Sequence, residues 1–409
     1  MSGKHLSNQT ALGLTECLPA DWRHALLLGR IETLDGPTPV LVVDGRVRDI
    51  SHAAPTVSQF LNAWNGGIPR GKDLGPLDEL PLTPAFVPAF AQTGTANAPS
   101  GGSMRLLSPF DLHCIKASGV TFAVSAIERV IEERARGDAA RAEALRASLR
   151  ERIGADIRAV KPGSERAERL KEVLIAEGLW SQYLEVAIGK DAEIFTKAPP
   201  LSSVGWGDWI GVRADSAWNN PEPEVVLACD RAGRILGATL GNDVNLRDIE
   251  GRSALLLGKA KDNNASCAIG PFIRLFDSAF SLDHVRQALV RLQIVGEDGF
   301  RLEGESSMTQ ISRDPEELVA QTIGPNHNYP DGFALFLGTM FAPITDRDAP
   351  GLGFTHHEGD LVRVSSDLLG TLENKVTTCE RAPPWTCGIA YLMQNLAARG
   401  LLASHSNIL

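Results

Sequence analysis

The apolar residues of this chain fall mostly in short runs broken by Gly, Pro, Asn and Asp, which predicts strands joined by tight turns. Residues 1 to about 20 are polar without a sustained period and read as a frayed lead-in. Three strands are predicted next, over 25–31, 39–43 and 46–50, the last two joined by a hairpin turn at Asp44-Gly45. Residues 57–64 carry the spacing of a short helix, and the Pro, Ala, Gly, Thr and Ser of 81–102 read as a linker. A domain boundary is expected near 105.

Beyond it, residues 112–117 predict a strand leading into Gly119–Ser125. From Ala126 to about Ile188 the pattern turns helical, with apolar positions at Ile127, Val130 and Ile131 and then at Leu145, Leu149 and Ile153. A second helix is predicted over 164–177. The charges of this block read as a solvated helix face, and the block itself as an insertion or lid over a site. From Ala192 onward β-type runs return, interrupted by helical spacing only at 281–285, 314–323 and 389–399. The expected fold is mixed α/β and β-rich, with a small N-terminal β-rich domain over 1–105 and a catalytic domain over 106–409.

One hairpin carries more carboxylates than a strand pair needs. Glu222 and Glu224 head an apolar run and share a face if it is a strand. The turn-like Asp230-Arg231-Ala232-Gly233 returns the chain through Arg234–Leu240, which sets Asp243 opposite about position 220 to 222. Three convergent carboxylates without His or Cys suit a hard, oxygen-loving cation, Mg²⁺ or Mn²⁺ before Zn²⁺. The plainer alternative is a pair of solvated edge-strand charges that guard against aggregation.

Length and charge narrow the class. The 409 residues exceed one ordinary core, and 43% hydrophobic with 22% charged residues describes a soluble globular protein. A formal net charge of −10, with no long basic cluster, argues against nucleic acid or an anionic membrane as partner and favours a small-molecule ligand. Six scattered cysteines without a Cys-x-x-Cys pair, no signal-like N-terminus and no run of membrane-spanning length lead to an expectation of a reduced, cytoplasmic protein. Neither a Gly-x-Ser-x-Gly elbow nor a Walker-type phosphate loop is present.

Other residues could carry chemistry. Arg247 stands four residues past Asp243, where a guanidinium holds a substrate carboxylate bidentately or pairs with neighbouring Asp248. Lys259 and Lys261 share a face if their segment is a strand, so period cannot choose between them as a lysine base. Thr339 closes an apolar strand over 332–337. His356-His357-Glu358 suggests metal binding but reads better as the turn into the strand from Leu361.

Taken in order, Pro221–Glu224, Gly241–Val244 with Arg247-Asp248, Lys261 to Gly270-Pro271, Gly338-Thr339, Glu358-Gly359-Asp360 and Leu369–Val376 resemble the fumarylacetoacetate hydrolase superfamily over about residues 110 to 400. The resemblance implies that family's mixed β-roll, assembled as a homodimer or homotetramer. It implies Glu222, Glu224 and Asp243 as ligands of Mg²⁺ or Mn²⁺, selects Lys261 over Lys259 by its spacing to Gly270-Pro271, and assigns Arg247 and Thr339 to the 2-oxo acid end of a substrate. Hydrolases of the family carry Asn-Tyr-x-x-His-x-x-Glu, whose His-Glu pair activates water. Here the stretch is Thr121–Glu128, with Ser125 for the histidine and Glu128 retained, so the water-activating pair is missing.

That departure is similar to the sugar-acid dehydratase branch, the 2-keto-3-deoxy-D-xylonate (D-arabinonate) dehydratases. The branch implies loss of water from a 2-keto-3-deoxy-D-pentonate to give 2,5-dioxopentanoate in non-phosphorylative pentose breakdown. In the expected mechanism the cation chelates the C1 carboxylate and C2 carbonyl, a neutral Lys261 removes a C3 proton, Glu128 protonates the C4 hydroxyl and Ser125 contacts substrate. The alternatives are a hydrolase of 2,4-dioxo acids of the acylpyruvate type and a non-catalytic oxo-acid-binding protein.

Overall fold

The computed structural model describes residues 11–87, 104–136, 138–142, 145, 160–341 and 345–402. In chain order its strands are β1 (Leu27–Thr33), β2 (Gly36–Val43), β3 (Arg46–Asp49), β4 (Lys72–Pro76), β5 (Arg105–Leu107), β6 (Cys114–Gly119), β7 (Glu193–Ala198), β8 (Trp209–Val212) and β9 (Asn219–Asn220). They continue with β10 (Pro223–Cys229), β11 (Ile235–Asp243), β12 (Asn245–Leu246), β13 (Cys267–Leu275), β14 (Leu289–Val295), β15 (Arg301–Ser307), β16 (Phe333–Phe336), β17 (Leu361–Ser366) and β18 (Gly370–Thr378). The described helices are α1 (Val57–Ala63), α2 (Ala123–Ala135), α3 (Glu165–Ala176), α4 (Gln182–Ile188), α5 (Arg247–Glu250), α6 (Leu257–Lys261), α7 (Leu282–Arg286), α8 (Pro315–Thr322) and α9 (Ile389–Ala398).

Two large sheets form the body. The eleven-stranded one has the order β4-β3-β2-β1-β13-β11-β10-β16-β6-β7 with β5 added on β1, and the five-stranded one has the order β15-β14-β17-β18-β8. Parallel pairs occur at β16 with β6 and at β18 with β8. The expected β-rich, mixed α/β architecture is what forms.

The continuous apolar run of β10 has a physical reason. Val225 and Leu227 face the core between the sheets, with Leu292, Ile294, Val362 and Leu372. Val226 and Ala228 face the opposite side, where α1 contributes Val57, Phe60 and Leu61. A strand covered on both faces shows no polar alternation. Each large aliphatic side chain so buried contributes about 1.5–3 kcal/mol.

The three N-terminal strands and α1 form where the pattern predicts them. Asp44 (φ 50°) and Gly45 (φ 72°) both take the left-handed conformation that a two-residue hairpin turn demands. These strands do not form a separate sheet, because β1 pairs with β13 at Leu27↔Arg274 and Leu28↔Ile273. Backbone pairing thus runs straight across the boundary expected near 105, while most of the 81–102 linker lies outside the described residues.

The helical block is present, and α2 begins three residues before the expected Ala126. Ser125 Oγ accepts the Phe122 N–H at 3.3 Å there, satisfying one donor of the first turn. Ser164 caps α3 by accepting from Ala167 N at 3.2 Å. Ala126, Val130 and Ile131 of α2 pack with Leu174, Tyr183, Leu184 and Trp218 in a core of their own. Leu149 and Ile153 lie outside the described residues. All six cysteines are free thiols. No described helix is long and apolar enough to cross a membrane.

Candidate active site

The β10–β11 hairpin brings the three carboxylates together. Its turn is built by Asp230, whose Oδ1 accepts the Ala232 and Arg234 N–H groups at 2.9 Å each, and by Gly233 at φ 77°. The register pairs Pro223 with Asn242 and Glu224 with Gly241. Asp243 therefore stands opposite Glu222, as expected from the sequence, and its N–H donates to the Glu222 carbonyl at 3.0 Å. Glu222, Glu224 and Asp243 are all buried and offer oxygens within 4.8 Å of one another.

Three cations, Lys261, Lys197 and Arg129, lie against them, and a fourth, Arg247, stands in the same cleft. Lys261 Nζ donates to Glu222 Oε2 at 2.5 Å and to Asp243 Oδ2 at 3.0 Å. Lys197, with no exposed surface, reaches Asp243 Oδ1 at 2.8 Å and donates to the carbonyls of Val244 at 3.1 Å and Lys261 at 2.5 Å. From α2, Arg129 contacts Glu222 at 2.5 Å, Glu132 at 2.6 Å and Glu250 at 2.9 Å. Arg247 donates to Glu132 at 2.7 Å, lies 3.6 Å from Glu128 and stacks on Trp218 at 4.3 Å.

Glu224 is fixed from the other side. Its Oε2 accepts the Gly338 N–H at 2.6 Å. Gly338 is at φ 87°, and a Cβ there would lie 2.1 Å from Thr121 Oγ1, so the turn that aims this N–H requires glycine.

Charge sets the protonation states. Burial, then Asp243 and Glu222, push the Glu224 carboxyl well above its usual range. Burial would raise Asp243 as well, but Lys197 and Lys261 hold it below. Burial would depress Lys261, yet Asp243, Glu222 and Glu250 outweigh it and keep the ammonium charged. That is its state without a cation in the site, whereas the neutral Lys261 expected from the sequence is a lysine with a bound cation as its neighbour. Glu193, half-buried at the start of β7, is pushed up to about 7 by burial and by Glu250, against Arg129 and Lys261.

Glu222, Glu224, Asp243, Lys261, Glu128, Arg247, Thr339 and Ser125, all named from the sequence, line one cleft. Glu132, Glu193, Glu250 and Arg129 complete its charged wall. Seven carboxyl groups thus face four cations, counting Lys197 behind Asp243, a formal excess of three negative charges that the raised Glu224 and Glu193 relieve by holding protons and that a divalent cation would reduce to one. The all-oxygen donor set and this excess fit a hard divalent ion.

Several readings are sharpened or corrected. Lys259 and Lys261 lie on helix α6 and not on a strand; Lys261 points into the cleft, whereas Lys259 pairs at the surface with Asp215 at 3.4 Å. Arg247 and Asp248 are not a pair, because Asp248 accepts from Ser216 Oγ at 2.8 Å and Ala217 N at 2.9 Å. Ser125 Oγ donates to the Phe122 carbonyl at 2.8 Å, so its hydroxyl is engaged by backbone. Thr339 Oγ1 accepts from Phe341 N at 3.1 Å. His357 pairs with Asp348 at 2.9 Å, and buried His356 lies 3.8 Å from Asp360 in the turn before β17, as the turn reading expected.

Arg129, Lys197, Glu193 and Glu250 were not legible as site residues. A signal existed for two of them: Glu193, Phe195 and Lys197 alternate along β7 and so share one face, with Glu193 and Phe195 lining the cleft.

Comparison with known proteins agrees with this geometry. Residues 225–377 match the fumarylacetoacetate (FAA) hydrolase C-terminal family. A 2-dehydro-3-deoxy-D-arabinonate dehydratase of Saccharolobus solfataricus is 36% identical over 209 residues, 50% of this chain and 65% of that protein. A probable 2-keto-3-deoxyxylonate dehydratase of Haloferax volcanii is 34% identical over 197 residues, 48% of this chain and 64% of that protein. The chain therefore spans just under two thirds of the curated relatives it matches. Among solved structures, a 2-keto-3-deoxy-D-arabinonate dehydratase complexed with magnesium and 2,5-dioxopentanoate superposes with TM-score 0.58 at 23% identity, over 86% of this chain and 99% of that one. The fumarylacetoacetate hydrolase of Exiguobacterium antarcticum gives TM-score 0.51 at 16% identity, over 87% and 100%. At these identities the two structures speak for the fold alone.

Proposed function

We propose that this chain, whose residues 225–377 match the fumarylacetoacetate (FAA) hydrolase C-terminal family, is a metal-dependent hydro-lyase. Its substrate is a 2-keto-3-deoxy-D-pentonate of the xylonate or arabinonate series and its product 2,5-dioxopentanoate. One observation carries this reading: a buried three-carboxylate site shares its cleft with Glu193, whose carboxyl burial pushes up to about 7, while among the described residues no histidine lines that cleft. Elimination needs a group that takes and returns a proton near neutrality, and hydrolysis needs an activated water.

Glu222, Glu224 and Asp243 hold the cation, Mg²⁺ or the equally hard Mn²⁺. When bound, that ion supplies Lewis-acid polarisation of the 2-oxo acid end, which acidifies the C3 proton. Glu193, ionised near neutral pH, removes that proton. Glu193 then returns its newly acquired proton to the departing C4 hydroxyl, the step the sequence reading gave to Glu128, which lies 3.6 Å from Arg247. Water leaves, a C3–C4 double bond forms, and tautomerisation through the C4–C5 enol gives the terminal aldehyde. The charged Lys261 and Arg247 offset negative charge that develops on the substrate oxygens, and Thr339 offers a hydroxyl to the same end.

Incubation with Mg²⁺ and 2-keto-3-deoxy-D-xylonate or -arabinonate, with product followed by aldehyde derivatisation, tests the reading. A semialdehyde is expected. Pyruvate release from acylpyruvates without semialdehyde formation would sink it in favour of hydrolysis, and ligand-induced stabilisation without turnover in favour of a binding protein.

A further inference from the structure

The register that sets Asp243 opposite Glu222 continues beyond the carboxylates. Glu224 faces Gly241 and Pro223 faces Asn242; further on, Asn220 faces Asn245 and Asn219 faces Leu246. Side chains two apart leave the same face of a strand, so Glu224, Glu222 and Asn220 form one row, with Asp243 and Asn245 in the row beside it. Where the carboxylates end, two amides begin. Asn220 is 3% exposed and lines the cleft. Its Nδ2 donates to the Pro221 carbonyl at 2.9 Å, which leaves Oδ1 as an acceptor with no hydrogen-bond partner among the described residues. Asn245, without exposed surface, has neither amide atom engaged among them. Buried polar atoms left unpaired are costly, so a ligand that pairs them is bound preferentially.

We propose that Asn220, with Asn245 beside it, is a subsite that recognises a hydroxyl on the tail of the 2-oxo acid, the C5 hydroxyl of a 2-keto-3-deoxypentonate. This rests on the elimination reading above. Strand spacing gives the position: Asn220 lies two residues, about 7 Å, beyond Glu222, on the side away from Glu224 and its Gly338 contact. A five-carbon chain anchored at the cation through its 2-oxo acid end covers a similar span to its last oxygen. Ser118 Oγ in the cleft wall is likewise unengaged, but a Cβ on Gly338 would meet the Ser118 carbonyl at 3.0 Å, so Ser118 belongs to the Thr339 end. Chemistry gives the ligand class. Asn220 Oδ1 only accepts, so it takes an O–H, and Asn245 Nδ2 is a donor on the adjoining side chain; a hydroxyl gives to one and receives from the other. A carboxylate or fully ionised phosphate has no proton to give and meets the acidic wall of Glu128, Glu132 and Glu250.

A pair of substrates tests the subsite: 2-keto-3-deoxy-D-xylonate and its 5-deoxy analogue, 4-hydroxy-2-oxopentanoate of the same C4 configuration, each with Mg²⁺. The wild type is expected to favour the first in kcat/KM, and Asn220→Ala to shrink that preference at least about tenfold, by lowering kcat/KM for the hydroxylated substrate alone. A ratio between two substrates of one enzyme sample is unmoved by partial misfolding, so a merely structural Asn220 would leave it unchanged. Should the wild type turn over neither compound, the elimination reading fails and the subsite is decided by thermal stabilisation with the same two ligands, where the wild type is expected to prefer the hydroxylated one and Asn220→Ala to respond equally to both. A wild type that discriminates in neither measurement, or an Asn220→Ala variant that keeps the wild-type preference, overturns the proposal.

Discussion

Replacing Glu224 by Gln should leave the fold at least as stable as wild type while abolishing its response to a divalent cation. Glu224 is 3% exposed, and burial together with Asp243 and Glu222 raises its carboxyl well above the ordinary value. The sign follows from linkage. With the folded pKa above the unfolded one, the native state binds the extra proton, and wild-type stability falls as pH rises from the ordinary carboxylate range towards the folded value. The slope is about 1.4 kcal/mol per pH unit while this one group titrates. Gln matches the shape of the protonated carboxyl and still accepts the Gly338 N–H, so it carries no such loss. Without metal, the advantage of Glu224→Gln therefore grows with pH, by about 3 °C in Tm per unit at ~2 °C per kcal/mol. With Mg²⁺ at about a hundred times its Kd, the wild type gains about 2.7 kcal/mol and the variant, left with two carboxylates, almost none. Thermal melts at three pH values, with and without Mg²⁺, measure both effects. A variant that melts well below wild type without metal, or that gains as much from Mg²⁺, would refute the assignment of Glu224 as a ligand held among like charges.

Three further outcomes follow from the same geometry. Glu193→Gln should lower kcat by about 10²–10⁴-fold with the Mg²⁺-dependent Tm shift intact; since the ionised form is the base and a bound cation favours it, the wild-type rate should rise with pH through a midpoint at or below about 7. Lys197→Met removes a fully buried cation from Asp243 and from two carbonyls, which should cost about 3–5 kcal/mol in denaturant unfolding; a loss under 1 kcal/mol would contradict its role. Ser125→Ala should cost about 1 kcal/mol of stability through the lost Phe122 contacts and leave kcat within about twofold, whereas a tenfold fall would put Ser125 on the substrate.

The sequence by itself determined what is local. The β10–β11 hairpin was legible because turn chemistry at Asp230–Gly233 and strand alternation act over a few residues, and together they fix Asp243 opposite Glu222. Ser125 in place of histidine was legible because it is a plain identity within a motif. Tertiary structure decided what depends on distant chain. It chose helix over strand at Leu257–Lys261, joined the N-terminal strands to β13, and carried Arg129 and Lys197 to carboxylates 93 and 46 positions away in the sequence. It also decided the protonation states, since the fields that keep Lys261 charged and lift Glu193 to about 7 come from groups that only the fold brings together. Residue type states which chemistry a side chain can perform; burial and neighbouring charge state which of those it performs here.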